Sequence, residues 1–390
     1  MRKAEDADVV KKFELITFFF AFISTVVYSQ DLPEEEIQVN LNSYFDNFNV
    51  KIVYPSISFT KKLTDSSTVN VRYLVDVISA ASMKSHFDVD GITSATDKDD
   101  GGGDNIPDEV RHEFGVGLSQ LINSGTLSAN ALYSKEHDYT SLTFAGTYSF
   151  PFAKKNTVLQ LGIVRSWDKV YPQIRDWKKD KDVYTFSLNL TQILSKRMIS
   201  QAIFSYNHSK GFLSDSYQVV QIIQENEVMN YEPIHPDKRI RKAVGLRLNY
   251  KIERNSALQI GFRYYWDNWE INSFTTSISF QQHLSEVTTF GFGIRNYFQS
   301  RAYFFKEIYE EPENLMTVDS KLDEGFSNEY QFKLSINGGH FKGIPFLSDE
   351  NIQLNMHLNF YHRHTATPNW HSRTKELYAY ILSFGIRYRF

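Results

Sequence analysis

The sequence lacks several features that would assign it to familiar classes. Its 390 residues include no cysteine, which excludes disulfide bonds, thiolate metal ligands, cysteine nucleophiles and covalently attached c-type haem. It has no basic excess: Lys and Arg total 42, Asp and Glu total 46, and the net charge of −4 argues against a nucleic-acid partner. A mean hydropathy of −0.39, with one long apolar run, excludes a bundle of membrane helices.

Aromatic residues, by contrast, are abundant. The chain contains 31 Phe and 23 Tyr, while hydrophobic residues of all kinds make up 42%. Many aromatics without long apolar runs are typical of strands that have one apolar face and one polar face. Composition therefore indicates β structure, with a membrane barrel among the candidates.

The apolar run lies near the N-terminus and has the pattern of a secretory signal. Lys11 and Lys12 precede an apolar stretch from Leu15 to Val27, and the compact residue Ser29 stands before Gln30. Such a stretch is too short to span a membrane. We expect residues 1–29 to be a signal peptide and residues 30–390 to form one domain; a buried N-terminal helix is the alternative.

Strict alternation of apolar and polar residues then recurs along the chain. One example is the segment from Leu258 to Asp267, in which the apolar side chains fall on even positions. Sixteen such segments are predicted as strands, with fourteen as the alternative because the first two alternate least clearly. They are 37–45, 49–62, 68–79, 110–122, 126–137, 139–150, 157–167, 182–193, 198–208, 242–252, 257–267, 271–283, 288–300, 327–338, 350–363 and 376–390.

A soluble β-sandwich also alternates, so other features must distinguish the two classes. The segments are about 10 to 14 residues long, which suits tilted membrane strands. Short connections alternate with longer ones, as periplasmic turns alternate with outer loops. The final segment ends in the aromatic residue Phe390. The sequence therefore predicts an all-β fold, a single antiparallel transmembrane β-barrel with both termini in the periplasm.

An ordered set of short motifs spreads over most of the chain. They are Val75–Ser82, Asp88–Asp90, Thr93–Ala95, Arg111–Glu113, Glu136–Tyr139, Gly211–Tyr217, His235–Arg239, Arg263–Trp269 and Tyr297–Ala302. Together they resemble the domain of unknown function family 3570, outer-membrane barrels of Gram-negative bacteria. The resemblance implies outer-membrane localisation after export. It also implies an envelope system with redox work, in which a small lipoprotein or a periplasmic redox protein is the partner.

Alternation also assigns charged residues to the inner face of the barrel. The candidate site residues near the mouth and along the lumen are Arg72, Asp76, Arg111, Glu113, Glu136, Asp138, Arg263, Asp267 and Arg295. They are either a constriction or ligand site, or an ion-pair network that braces the wall and anchors the loop 80–109. In that loop Asp88 and Asp90 belong to an acidic, glycine-rich stretch that is a weak candidate for Ca²⁺; a solvated loop is the alternative.

The expected function follows from these features. No local nucleophile signature such as G-x-S-x-G is present, so we expect a non-enzymatic barrel without a cofactor. It would act as a pore or as a structural or docking component, surrounded by outer-membrane lipids. The alternative is an outer-membrane enzyme with a site at the extracellular mouth.

Overall fold

A computed structural model describes residues 32–47, 51–77, 110–172, 175–224, 227–341, 343–344, 347–367 and 375–390, with Asp76 and Val77 described by their backbone alone. The predicted signal peptide lies outside these ranges. Within them, no helix is both long and apolar enough to cross a membrane.

The described chain forms a closed antiparallel barrel of sixteen strands. In chain order its strands are β1 (Glu36–Asp46), β2 (Lys51–Thr64), β3 (Ser67–Val77), β4 (Val110–Ile122), β5 (Gly125–Lys135), β6 (Tyr139–Phe152), β7 (Thr157–Val170), β8 (Lys179–Ser195), β9 (Met198–Gly211), β12 (Lys238–Glu253), β13 (Ser256–Asp267), β14 (Asn272–His283), β15 (Thr288–Gln299), β16 (Gly325–Asn337), β17 (Ile352–Thr365) and β18 (Glu376–Arg389). Strands β10 (Val220–Gln224) and β11 (Glu227–Tyr231) form a separate hairpin between β9 and β12. Each barrel strand pairs with its neighbour along the barrel, and β1 closes the ring against β18.

The prediction of a sixteen-strand membrane-type barrel is confirmed, including the two weakest segments. The predicted boundaries are too short at one end of several strands: β8 begins at Lys179 and β12 at Lys238. These extensions are polar, and their strand conformation comes from pairing with a neighbour, such as Lys238 opposite Lys210. Pro55 lies in β2 on the outer face, and the β2–β3 ladder skips its position because proline has no N–H to donate. The hairpin β10–β11 was not predicted.

The two faces of the wall follow the predicted alternation. Large apolar side chains on the outer face remain exposed, for example Ile163 at 63% and Leu246 at 64%. The register places Phe262, Tyr264, Phe292, Leu354, Leu382 and Phe384 on the outer face, and Arg72, Arg263, Arg295 and Arg387 on the inner face. A shift of one residue would have exchanged the faces of a whole strand.

The connections divide between two ends of the barrel. One end, called here the turn end, carries both termini of the barrel and mostly tight turns such as 123–124 and 254–255. The other, the loop end, carries the connections 78–109, 212–237 and 300–324. The division is incomplete, because the turn-end connection 338–351 is long and the loop-end connection 136–138 is short.

The faces can be tested on β18, where Leu382 is exposed on the outer face and the next residue, Ser383, points inward. Leu382→Arg should lower the free energy of unfolding by about 2–4 kcal/mol if the position lies near the bilayer midplane. The measurement is a urea titration of the barrel in lipid vesicles. Ser383→Arg is the matched control and should cost much less, because the lumen accepts charge; equal losses would contradict the assigned register.

Candidate functional site

Cations outnumber carboxylates on the inner face of the wall. The inward-facing basic residues are Lys62, Arg72, Arg111, Lys179, Lys181, Arg239, Arg241, Arg247, Lys251, Arg263, Arg295, Lys333, Arg363, Arg387 and Arg389. The inward-facing acidic residues whose side chains are described are Glu36, Asp46, Glu113, Asp168, Glu253, Asp267 and Glu329. The inner face of the described strands therefore carries a net positive charge, although the whole chain carries −4.

Glycines on the inner face let long side chains lie against the wall. Gly117 lies under Asn130 and Gly385 lies under Asn40, so that a Cβ at either position would collide with the amide of its neighbour. Such close approach is a common reason for glycine within a strand. Side chains that lie along the wall leave more of the barrel axis clear.

Three of the inward arginines lie within four consecutive strands of the barrel, on β12, β13 and β15. Arg247 of β12 faces Gly261 of β13, and Arg263 of β13 faces Gly245 of β12. Arg295 of β15 lies on the same line of paired residues as Arg247, separated by Gly261 and Ser277. Arg247 Nη1 donates to the neutral amide Oε1 of Gln201 at 3.3 Å, so its charge is not offset by this partner.

Two ion pairs form among the predicted mouth residues whose side chains are described. Arg72 binds Glu113, whose side chain is buried within the wall. Arg111 Nη1 lies 3.5 Å from Glu136 Oε1, and both side chains are less than 20% exposed. Asp138 instead accepts a hydrogen bond from Tyr217 Oη, which belongs to a different loop.

The remaining predicted residues have different outcomes. Asp267 forms an ion pair with Arg239, at 2.6 Å; the other candidate on its strand, Arg263, is four residues away and so lies too far to pair with it. Arg295 Nη1 lies 3.5 Å from Glu329 Oε2. Asp76 is opposite Arg111 in the register, but its side chain, and all of Asp88 and Asp90, lie outside the described residues.

A folded cap, not predicted from the sequence, stands on the loop end. Connections 212–237, 268–271 and 300–324 share a buried core formed by Leu213, Trp269, Ile271, Ala302, Phe304, Phe305 and Leu322. The inward-facing Tyr265 of β13 packs against this core, which places the cap on the lumen side of the wall. A second core joins the buried face of the hairpin, Val220 and Ile222, to Tyr309 and Met316.

Polar contacts attach the cap to the rim of the barrel. Arg301 Nε lies 2.7 Å from Oδ1 of Asp323, whose side chain is fully buried and also accepts from Thr367. Arg175 links a neighbouring loop to the cap through Glu232, at 3.4 Å. The cap is thereby connected to loops on both sides of it.

Two titratable groups are buried in the cap. Burial lowers the pKa of His235, which lies between Trp269 and Phe304, although nearby Asp319 acts in the opposite sense. Burial raises the pKa of Asp215, and the charge of Asp319 adds to that rise. His235 Nδ1 lies 3.0 Å from the carbonyl oxygen of Leu213, which holds the neutral ring in place.

One sequence signal could have indicated the cap. The connection 300–324 contains Phe304, Phe305 and Tyr309, and the connection 212–237 contains the alternating pair Val220 and Ile222. Apolar side chains at this density in a connection indicate a buried core. Among the described residues, no three His, Asp or Glu side chains are grouped so that they could hold a metal ion.

A closed sixteen-strand barrel with an apolar outer face defines the class of outer-membrane β-barrel proteins. Similar solved structures include a bacterial polysaccharide outer membrane secretin (9% identity, TM-score 0.51, 92% of this chain and 98% of that chain). CdiB from Acinetobacter baumannii matches at 5% identity with a TM-score of 0.50, over 91% and 61% of the two chains. The siderophore receptor PirA from Pseudomonas aeruginosa matches at 10% identity with a TM-score of 0.44, over 86% and 57%. The chain thus spans 57% of that receptor's length, and these identities show the fold alone.

The family model described as "Protein of unknown function (DUF3570)" matches residues 24–177 and 165–335. The chain therefore belongs to this family, as its motifs indicated. No curated protein matches the chain.

The attachment of the cap can be tested at Asp323. Asp323→Asn removes the charge that holds Arg301 and should loosen the connection 300–324, because it weakens a contact to a fully buried group. Limited trypsin digestion of the folded barrel should then cut this connection faster than in the wild type. Glu313→Gln, which breaks an exposed ion pair with Lys306 in the same connection and leaves every trypsin site in place, is the control. Unchanged cleavage in the Asp323 variant would contradict the assigned role.

Proposed function

We propose that the protein is a non-enzymatic outer-membrane pore that favours small anionic solutes. The observation that carries this proposal is the excess of inward-facing cations on the described wall. Basic side chains lining a pore attract anions and repel cations. In this proposal the turn end faces the periplasm and the loop end faces outward.

The width of the barrel supports passage. Barrels of sixteen strands are wide enough to leave an aqueous channel unless something fills them. Side chains that lie over glycines, such as Asn130 over Gly117, extend along the wall rather than toward the barrel axis. Arg247 and Arg263 then provide positive potential in a low-dielectric wall, which concentrates anions locally, whereas Glu329 offsets part of the charge of Arg295.

The cap gives the pore a narrowed mouth on one side. It rests on the inward residues Tyr265 and Arg239, so it covers the lumen next to β12 and β13. Solute would enter beside the cap. We favour a pore over an enzyme at the mouth because the described charged side chains there form ion pairs, as in Arg72 with Glu113 and Arg111 with Glu136.

Ion selectivity tests the pore. In planar bilayers under a KCl gradient, the wild type should conduct with a reversal potential of the sign expected for chloride preference. Arg247→Gln combined with Arg263→Gln should move the chloride-to-potassium permeability ratio toward 1. Arg165→Gln on the outer face is the control and should leave the ratio unchanged. Cation preference in the wild type, or no conductance even after Asp323→Asn, would contradict the proposal.

Docking is a second candidate function, favoured by the hairpin β10–β11. One face of the hairpin is buried, but the other exposes Ile223 at 71% and Val228 at 57%, which are directly opposite each other. Apolar side chains presented on a folded support are typical of a protein-binding surface. A surface-exposed lipoprotein would reach this face, whereas a periplasmic redox partner would meet the turn end, where Leu284 is 64% exposed.

Photo-crosslinking in intact cells distinguishes these partners. A photoreactive residue at position 223 should capture a protein of defined mass if the docking partner is outside, and one at position 284 should do so if the partner is periplasmic. Position 246 on the lipid-facing wall is the control. Docking would be contradicted if neither position gave an adduct beyond that control.

A further inference from the structure

The outer face of the wall carries a cluster of cations at the loop end of β7, β9 and β12. This basic patch consists of Arg165, Lys210, Lys238 and Lys242, all at outward-facing positions. Below it the same strands expose large apolar side chains, such as Ile163 and Leu246. The patch therefore lies at the upper edge of the apolar band, at the level of the lipid headgroups.

Two members of the patch are like charges that face each other across a ladder. Lys210 and Lys238 are directly opposite each other in the β9–β12 ladder, and like charges in such a pair destabilise a sheet. Asp182 is opposite Lys210 in the β8–β9 ladder, but its ion pair is with Arg165, at 3.4 Å. Among the described residues, no carboxylate lies within ion-pair distance of the ammonium groups of Lys210, Lys238 or Lys242. An anion between the two strands would relieve their repulsion.

The backbone at the start of β12 is held by hydrogen bonds from the connection 268–271. The carbonyl oxygen of Lys238 accepts hydrogen bonds from Trp269 Nε1 at 3.1 Å and from Asn268 Nδ2 at 3.3 Å. The backbone N–H of Ile240, two residues further, donates to Asn268 Oδ1 at 2.6 Å. These bonds fix the position from which the Lys238 side chain extends.

Arg165 extends the patch along the wall toward β7. Its guanidinium lies 4.6 Å from the ring of Trp167 and 4.0 Å from that of Tyr184, two aromatics of the kind that line the membrane interface. Asp182 lies 3.4 Å from Arg165 and offsets part of its charge, and Asp180 is the other outward carboxylate of β8. The four cations of the patch outnumber these two acids, and Lys169 of β7, opposite Asp180, adds a further outward cation.

We propose that the basic patch binds the phosphate groups of a phosphorylated glycolipid in the outer leaflet, with its acyl chains against the apolar band below. The lipid phosphates would lie at the level of the lysines. The acyl chains would lie below them, against the apolar side chains of the wall. The patch faces lipid and not the lumen, so this binding is independent of conduction.

Binding can be measured on the purified barrel in detergent by native mass spectrometry and by thermal unfolding. Diphosphoryl lipid A is the probe, and inorganic phosphate at the same concentration is the arm that tests for a free anion. Lipid A should bind the wild type and raise its unfolding temperature, whereas Lys210→Gln combined with Lys238→Gln should bind at least tenfold more weakly. Lys51→Gln combined with Lys135→Gln, outward lysines of β2 and β5 at the same end of the barrel, is the matched control and should bind like the wild type.

A second measurement separates loss of binding from loss of folding. Without lipid, the Lys210/Lys238 variant should unfold at the same temperature as the wild type or higher, because the opposed charges are gone. Equal lipid affinity of the patch variant and the wild type would overturn the proposal. So would an equal loss of affinity in the control variant, or equal stabilisation by inorganic phosphate, which would assign the patch to a free anion.

Discussion

Closure of the hydrogen-bonded ring between β1 and β18 is the constraint on which the rest of this structure depends. The two strands pair from Glu36 opposite Arg389 to Asp46 opposite Ala379, which leaves the barrel without an open edge. In hydrocarbon each unpaired backbone group would cost several kcal/mol, so a sheet can cross the membrane only when it is closed. The last residue, Phe390, stacks on Phe59 of β2 at 6.0 Å and extends the contact one strand beyond the seam.

Closure also provides the support for the cap. Strands β9, β12 and β13 bring distant connections to one arc of the rim, where their apolar side chains can share a core. Trp269 is central to that core: it is fully buried, lies 4.2 Å from the guanidinium of Arg239 and donates to the carbonyl of Lys238. Burying Arg239 and Asp267 beside it carries a desolvation cost, which their 2.6 Å contact and the hydrogen bonds around them offset.

Basic side chains are concentrated on two surfaces of the wall, although the net charge of the whole chain is −4. Arginines dominate the described lumen, and lysines gather on one outer sector above the apolar band. The lumen surface and the basic patch lie on opposite faces of β12, where Arg247 points inward and Lys242 points outward. One strand thus contributes to both proposals, solute selection on its inner face and lipid binding on its outer face, because its side chains alternate.

Local alternation by itself determined the barrel strands and their faces, since the direction of each side chain depends only on its position within the strand, whereas their number was open between sixteen and fourteen. The outward position of Leu382 and the inward position of Arg263 can therefore be predicted from the sequence. The family motifs indicate an outer-membrane barrel in the same way. Which charges meet depends on register across strands, so only the tertiary structure decided that Asp267 pairs with Arg239 and that Lys210 lies opposite Lys238. The cap was likewise decided by the fold, because its core joins Leu213, Trp269 and Phe304, which become neighbours only when the barrel brings their loops together.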